Sequence, residues 1–250
     1  GKGLGMKVFG TVPPVNSDGG ASPVGEASLA EAIDTARTML LYGAHGNSPP
    51  KTVLVTSALP GEGKTSLSGH LAISLARGGY RTLLVDGDLR SPSNHHVFDV
   101  PVTPGLCELL RGESMLDPAT QPTRFPGLTV LPAGRWSLAA TQALAGDRWA
   151  AIRAAVETQY DFVVIDSAPV LPVVDSLLLA RHVDGVLLSV MHDHSRVAAV
   201  AEAQHRLLSI GANVLGVVLN GVEPHGRAYG YGYGYGYRAD PTGPVETVPA

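Results

Sequence analysis

The residues with the clearest chemical meaning form a glycine-rich loop that ends in lysine and threonine. Residues 56–66 read TSALPGEGKTS and follow the apolar run 52–55. A strand that leads into such a loop, with a helix after it, is the setting of the phosphate-binding P-loop, A/G-x-x-x-x-G-K-S/T, and Ala58 takes its first position. The predicted nucleotide-binding residues of the loop are Pro60, Gly61, Glu62, Gly63, Lys64, Thr65 and Ser66.

Each residue type in this loop has a chemical role. Glycines let backbone N–H groups turn toward phosphate oxygens, Lys64 supplies a cation near the β- and γ-phosphates, and Thr65 supplies a hydroxyl for Mg²⁺. The helix predicted to begin at Thr65 adds the positive end of its dipole. The alternative is an ordinary Gly/Pro turn. The apolar strand before the loop argues against it, as do the helically spaced leucines that follow, Leu67, Leu71 and Leu75.

Carboxylates follow two other apolar runs at the points where strands are expected to end. Asp86 and Asp88 follow the run 83–85, and Asp166 follows the run 163–165. Because the C-terminal ends of parallel strands share one sheet edge, these three side chains should converge on the P-loop. A carboxylate there can hold Mg²⁺, usually through water, or accept a proton from an attacking hydroxyl. A single Asp after a strand is often only a helix cap, so the three together indicate metal binding and catalysis.

Alternating strand-like and helix-like runs give the fold class. Nearly continuous Val, Ile and Leu predict strands at 52–56, 81–85, 128–131, 161–165, 185–190 and 214–219. Helical spacing predicts helices at 65–77, 149–158, 173–181 and 196–210. An earlier helix should begin at Ser28, with Glu31 completing a capping box, and its polar face is either solvated or a subunit contact. The predicted fold is therefore α/β, a P-loop NTPase-type doubly wound, mainly parallel sheet with helices on both faces.

Composition limits the possible functions. Only 16% of the 250 residues are charged and the net charge is −4, which gives no global support for nucleic-acid binding. The single cysteine, Cys107, excludes an internal disulfide. No apolar run is long enough to cross a bilayer, and we recognise no signal peptide. Because the first residue is Gly1, we expect a piece of a longer chain or a processed form.

The histidine pairs at 95–96 and at 192 and 194 are interpreted as loop residues rather than zinc ligands.

The end of the chain has a different character. After residue 222 tyrosine comes to alternate with glycine, and such a repeat cannot bury a core, because every second residue lacks a side chain and is costly to order. We predict three parts: a juxtamembrane-like segment and loop at 1–25, a P-loop domain at 26–222 and a flexible tail at 223–250. The tyrosines of the tail repeat are Tyr229, Tyr231, Tyr233, Tyr235 and Tyr237.

These motifs together resemble one known family, the bacterial tyrosine kinases (BY-kinases) of capsular and exopolysaccharide export systems. The resemblance rests on PGEGKTS in the P-loop, LLVDGDLRSP as the second Walker motif, FVVIDSAP as Walker B, and the tyrosine cluster. The paired DxDxR and DSxP motifs are much more specific than the P-loop alone. The similarity covers nearly the whole chain.

The resemblance implies an ATP- and Mg²⁺-dependent kinase that phosphorylates the tail tyrosines of a neighbouring subunit. Lys64 would then stabilise the transferring phosphate, and Thr65 and Asp166 would hold Mg²⁺ directly or through water. Asp86 and Asp88 would share metal positioning and activation of the phenol, with the division between them open. Arg90 would contact phosphate or the tail. Asn220 would lie near adenine, although a simple turn residue at a strand end is equally compatible with it.

Two departures from the family pattern bear on assembly. The family's first helix carries E-x-x-R-x-x-R, which packs subunits into a ring; Glu31 and Arg37 fit this pattern, but Asp34 replaces the first arginine. An opposite charge there would abolish or re-pair the contact, so a homo-oligomeric ring is open to question. The segment after Gly134 also lacks the family's usual proline–asparagine stretch.

The resemblance further implies partners and a location. The partners would be a membrane polysaccharide co-polymerase segment or adaptor and a cognate tyrosine phosphatase, without nucleic acid. The location would be the inner face of the bacterial plasma membrane, on the cytoplasmic side. Two rival functions stay open: a partition- or septum-type ATPase, whose signature lysine is replaced here by Leu59, and a nucleotide-binding scaffold without transfer, suggested by Asp34.

Overall fold

The computed structural model describes residues 5–14, 23–43 and 48–222. The segment 223–250, with the five predicted acceptor tyrosines, lies outside these residues, so the prediction for the tail stays a prediction. No helix in the described part of the chain has the length and apolar character needed to span a membrane.

An eight-stranded sheet forms the centre of the molecule. Its strands are β1 (Val8–Val12), β2 (Thr52–Ser57), β3 (Thr82–Gly87), β4 (Gln121–Pro122), β5 (Leu128–Leu131), β6 (Phe162–Ser167), β7 (Gly185–Met191) and β8 (Val214–Asn220). They lie in the order β1-β8-β7-β2-β6-β3-β5-β4, and every neighbouring pair is parallel except β4 with β5. All residues of β2, β3 and β6 are buried, as their unbroken apolar runs require.

Helices cover both faces of this sheet. They are α1 (Pro23–Tyr42), α2 (Lys64–Arg77), α3 (Asn94–Val97), α4 (Leu106–Arg111), α5 (Leu116–Ala119), α6 (Leu138–Leu144), α7 (Asp147–Gln159), α8 (Asp175–Ala180) and α9 (Val197–Ser209). Alternate residues of one strand serve two cores: Leu54 joins the core with α4 and α6–α9, while Val53 and Val55 join the core with α1 and α2. The predicted fold class is confirmed.

Several boundaries differ from the sequence predictions. The capping box at Ser28 and Glu31 is wrong, because α1 begins at Pro23 and Ser28 lies inside the helix. The segment 5–14 contributes β1, which pairs with β8 at the edge of the sheet. That pairing joins the two ends of the described chain. No local sequence pattern predicts this contact. The division into three parts stays a prediction.

Candidate active site

Two glycines with left-handed backbone angles shape the P-loop. It connects the end of β2 to the start of α2, and Gly61 and Gly63 adopt left-handed backbone angles, with φ of 81° and 79°. A Cβ atom on Gly63 would lie 3.1 Å from Asn220 Nδ2 and 3.2 Å from Met191 Cε. Any side chain at Gly63 would therefore be both strained and crowded, which explains the residue type at this position.

The Glu62 side chain points into the protein and holds the P-loop in place. Its side chain is buried, and its carboxylate accepts hydrogen bonds from Ser195 Oγ (2.5 Å) and from the backbone N of Leu59 (2.8 Å). Its carbonyl oxygen accepts one from Ser189 Oγ at 2.6 Å. Sequence reasoning did not identify Ser189 or Ser195; a serine inside the buried apolar strand β7 was the available signal for the first of them.

Asn220 supports the same loop from the end of β8. It is buried, and its Nδ2 donates to Ser189 Oγ at 2.7 Å and to the carbonyl of Glu62 at 3.3 Å. The amide thus holds the P-loop in place through two contacts. Its predicted position near adenine stays a prediction.

Lys64 is paired with a carboxylate in the described chain. Its Nζ lies 2.9 Å from Asp88 Oδ2, and both side chains are largely buried. Burial by itself lowers the pKa of Lys64, but the nearby carboxylates, above all Asp166 and Asp88, raise it above its usual value. Asp88 Oδ1 also accepts a hydrogen bond from the backbone N of Ser91 at 3.2 Å. Lys64 is therefore a fixed cation at the loop.

Asp86 and Asp166 face each other across neighbouring strands β3 and β6, where they are register partners. Asn94, the first residue of α3, joins them: its backbone N donates to Asp86 Oδ2 at 3.0 Å and its Nδ2 donates to Asp166 Oδ2 at 2.9 Å. Sequence reasoning missed Asn94, because its contacts with the two carboxylates depend on the pairing of β3 with β6.

Burial changes the acidity of both carboxylic acids. It raises the pKa of Asp86 to about 8, with the charge of Asp166 as the second cause. Burial also raises the pKa of Asp166, although Lys64 and hydrogen bonds from Thr65 and Asn94 oppose it. Without bound Mg²⁺, the pair of Asp86 and Asp166 therefore retains a proton at neutral pH.

The site fits a magnesium ion. Asp86 Oδ1 and Asp166 Oδ1 are buried oxygens with no hydrogen-bond partner within the described residues, and the Thr65 side chain lies near enough to Asp166 to lower its pKa. Carboxylate and hydroxyl oxygens are the donors that Mg²⁺ prefers. The described residues contain no group of three or more His, Cys, Asp or Glu arranged as a metal site. That finding is compatible with a P-loop, where phosphates and water supply most of the ligands.

Arg90 occupies a position different from the other predicted residues. Its Nε and Nη2 bind the two oxygens of Asp175 at 2.8 and 3.2 Å, and its Cζ lies 5.9 Å from the centre of the Trp136 ring. Asp175 is fully buried and was not predicted. The predicted contact of Arg90 with phosphate or tail stays a prediction. The structure thus brings Lys64, Asp86, Asp88, Asp166 and Thr65 together and places Arg90 beside them.

Comparison with known proteins agrees with this geometry. Residues 51–207 match the AAA domain family described as AAA_31. The putative tyrosine-protein kinase CapB of Staphylococcus aureus is 31% identical over 78% of this chain and 85% of its own length. Tyrosine-protein kinase YwqD of Bacillus subtilis is 31% identical over 77% and 81%. By contrast, the chain spans 26% of the length of the putative tyrosine-protein kinase EpsB of Ralstonia solanacearum, at 33% identity over 80% of this chain.

Solved structures give the same result. The kinase domain of Escherichia coli tyrosine kinase ETK superposes with a TM-score of 0.80 at 28% identity, over 92% of this chain and 96% of that one. The septum site-determining protein MinD of Pyrococcus horikoshii has a TM-score of 0.60 at 24% identity, over 68% and 70%, which shows a shared fold alone. With a P-loop, a fixed lysine and three carboxylates at one sheet edge, the chain belongs to the bacterial tyrosine-protein kinases.

Proposed function

We propose that this kinase transfers the γ-phosphoryl group of ATP to tyrosines in the tail of a neighbouring copy and thereby regulates exopolysaccharide or capsule export. The acceptors are Tyr229, Tyr231, Tyr233, Tyr235 and Tyr237. The observation that carries the proposal is the pair of buried carboxylates, Asp86 and Asp166, at the edge where Lys64 is fixed. Each has one oxygen without a hydrogen-bond partner among the residues that the structure describes.

Different residues of the site would bind the phosphates, hold Mg²⁺ and support the loop. Backbone N–H groups of the P-loop and Lys64 bind the phosphates, and the negative γ-phosphate competes with Asp88 for the lysine. Thr65, Asp166 and Asp86 would hold Mg²⁺, which neutralises developing charge on the phosphates when it is bound. Asn94 keeps the two buried carboxylates in register. Glu62 and Asn220 hold the loop that carries the phosphates.

Asp86 is the proton acceptor in this proposal. Its Oδ1 is buried and has no hydrogen-bond partner within the described residues, whereas Asp88 binds Lys64 through its Oδ2. The tyrosine Oη gives its proton to Asp86 and forms a bond to the γ-phosphorus. The bond from that phosphorus to the β,γ-bridging oxygen breaks, and ADP and phosphotyrosine result.

Intact mass spectrometry tests the proposal. Phosphatase-treated protein is incubated with Mg²⁺ and ATP, beside the Lys64→Met variant. We expect stepwise additions of phosphate to the unmodified chain alone, and their loss when all five tail tyrosines are replaced by Phe. Mass additions that persist without these tyrosines would refute the assignment of the acceptors, and no addition despite measured ATP binding would refute the kinase proposal for this chain.

Mixing two variants tests transfer between copies. A full-length Lys64→Met chain supplies only acceptors, and a full-length chain with its tail tyrosines changed to Phe supplies only catalysis. Phosphate should appear on the first chain, at a rate that grows with the concentration of the second. Transfer confined to chains that carry both functions would contradict the proposal.

Asp34 bears on the proposed assembly into a homo-oligomer. Its Oδ1 lies 2.7 Å from Arg77 Nη2 and 3.3 Å from Arg37 Nη1, and Ser74 Oγ donates to it at 2.5 Å. The charge of Asp34 and the arginine that would face another subunit are thus engaged inside one chain. We propose that this pairing weakens a ring, and that the Asp34→Arg variant sediments as a larger species than the unmodified chain in analytical ultracentrifugation.

The proposed setting is the cytoplasmic face of the bacterial plasma membrane, with a co-polymerase segment or adaptor and a tyrosine phosphatase as partners. Support comes from residues 3–13, whose pattern GLGMKVFGTVP resembles the piece after the last membrane helix in fused members of the family. The partition-type ATPase is disfavoured, since Leu59 packs against the apolar core at the signature-lysine position.

A further inference from the structure

Three large apolar side chains are exposed beside the candidate active site. Trp136 is 50% exposed, Leu138 63% and Val174 52%, and we call them the tryptophan patch. Trp136 follows β5 and Val174 follows β6, so both lie at the sheet edge where β3 delivers Asp86 and Asp88. Exposed apolar groups gathered at such a place are typical of a docking surface.

Arg90 connects this patch to the carboxylates. It stands two residues after Asp88, and its guanidinium lies 5.9 Å from the centre of the Trp136 ring, within the range of a cation–π contact. The same guanidinium holds Asp175, the neighbour of Val174, with two hydrogen bonds. Both ends of the patch are therefore tied to the segment that carries Asp88.

The loop that presents Trp136 is fixed on both sides of the ring. Arg111 Nη1 donates to the carbonyl of Arg135 at 2.9 Å and to Ser137 Oγ at 3.1 Å. Glu108 Oε1 accepts from the backbone N of Arg135 at 3.0 Å. A half-exposed aromatic ring on a fixed backbone binds a partner at a small cost in conformational entropy.

We infer that the tryptophan patch binds the Tyr–Gly run of a second copy of this chain, and that Trp136 receives the tyrosine next to the one at the carboxylates. This inference rests on the proposed function and names the surface that positions its substrate. In an extended peptide, residues i and i+2 face the same side, about 7 Å apart. A run with tyrosine at every second position, when bound in extended form, would therefore present one ring to the site and the next to a neighbouring surface.

The chemistry of the run suits this surface. A tyrosine ring stacks well on tryptophan, and its hydroxyl stays in contact with water or with Arg90. The intervening glycines carry no side chain, so the peptide backbone can approach the patch closely. Because the repeats are identical, each tyrosine in turn can occupy the reacting position while a neighbour occupies Trp136.

Tryptophan fluorescence tests the binding directly. The protein is the full-length chain with its five tail tyrosines changed to Ala, and the probe is a peptide of residues 228–238 with Phe in place of every Tyr. We expect a saturable change in emission that is lost in Trp136→Phe, because the other tryptophan, Trp149, is fully buried. Leu208→Ala, which alters a half-exposed leucine on α9, should retain it. No change at saturating peptide would overturn the inference.

Steady-state kinetics with the Tyr form of the peptide test the role in the reaction. Trp136→Ala should raise the KM for the peptide roughly tenfold with little change in kcat. The Trp136→Phe variant should have a KM close to that of the unmodified chain. An unchanged KM would overturn the inference even if transfer is rapid. A fluorescence change without any transfer would support the docking surface and refute the proposed function instead.

A spacing series and a mixing experiment complete the test. Peptides with two tyrosines at i and i+2 should have a lower KM than peptides with one tyrosine or with two at i and i+3, and equal values would overturn the inference. In a mixture with a full-length Lys64→Met acceptor chain, Trp136→Ala should slow transfer only when the catalysing copy carries it. Slowing that requires the change in the acceptor copy would show that the tail binds the patch of its own chain, contrary to the inference.

Discussion

Replacing Asp86 with Asn should stabilise the protein increasingly as the pH rises, in the absence of nucleotide and divalent cations. Asp86 is fully buried, and its pKa is raised from the ordinary value of 3.8 to about 8. Between these two values the unfolded chain has released its proton and the folded chain has kept it. The contribution of the Asp86 proton to the stability of the unmodified protein is therefore fully present below pH 3.8 and is lost as the pH rises toward 8.

The expected magnitude follows from these pKa values. The free energy of unfolding falls by about 1.4 kcal/mol per pH unit in this window, which gives an upper bound of about 6 kcal/mol for the whole window. Asn has nearly the same shape and does not ionise, and its carbonyl can keep the hydrogen bond from the backbone N of Asn94. Between pH 5.5 and pH 7.5, the advantage of the Asp86→Asn variant should grow by up to about 3 kcal/mol.

Urea denaturation in EDTA at pH 5.5, 6.5, 7.5 and 8.5 measures this difference. Asp117→Asn, a change at an exposed carboxylate, serves as the control and should show no such trend. If the Asp86→Asn advantage stayed constant within about 0.5 kcal/mol across these conditions, Asp86 would have to be ionised throughout, and the argument from burial would be refuted. The variant should also lose phosphate transfer, since Asp86 is the proposed proton acceptor.

Further predictions concern the supports of the site. Asn94→Ala removes the amide that donates to the buried carboxylate of Asp166. The free energy of unfolding, measured by heat or urea, should fall by about 1–3 kcal/mol, whereas a change near zero would show that water replaces the amide. Ser195→Ala frees one oxygen of Glu62 and should weaken ATP binding several-fold in calorimetry; unchanged binding would mean that the remaining contacts suffice. Burial raises the pKa of the Cys107 thiol to about 12, so it should resist a disulfide reagent at pH 8 until the protein is unfolded, and rapid labelling of the native protein would contradict its burial.

The contiguous parts of the site are predictable from sequence. The P-loop depends on residue types at fixed spacing over a few positions, and Asp86, Asp88 and Asp166 each follow a strand that an apolar run announces. Given parallel strands, their meeting at one edge follows from geometry. The sheet, its two covered faces and the approach of these carboxylates to Lys64 could therefore be predicted from the sequence.

The supporting contacts were not predictable, because each joins residues far apart in the chain. Glu62 meets Ser195 only because β7 lies beside β2, and Arg90 meets Asp175 only because β6 lies beside β3. A local pattern states which residues face a core but not which strand becomes the neighbour of which. The same limit misplaced the start of α1, where the helix continues upstream of Ser28.

Sequence alone thus determined the fold class, the phosphate-binding loop and the identity of the three carboxylates at the sheet edge, because those features are encoded in short runs with a defined spacing. Tertiary structure decided how acidic the carboxylates are, since burial and the facing charge of Asp166 set the pKa of Asp86. It also decided that Asp34 pairs inside its own chain and that Trp136 stands beside Arg90 at the site. Those properties depend on which groups share a low-dielectric environment, and strand order and helix packing fix that environment.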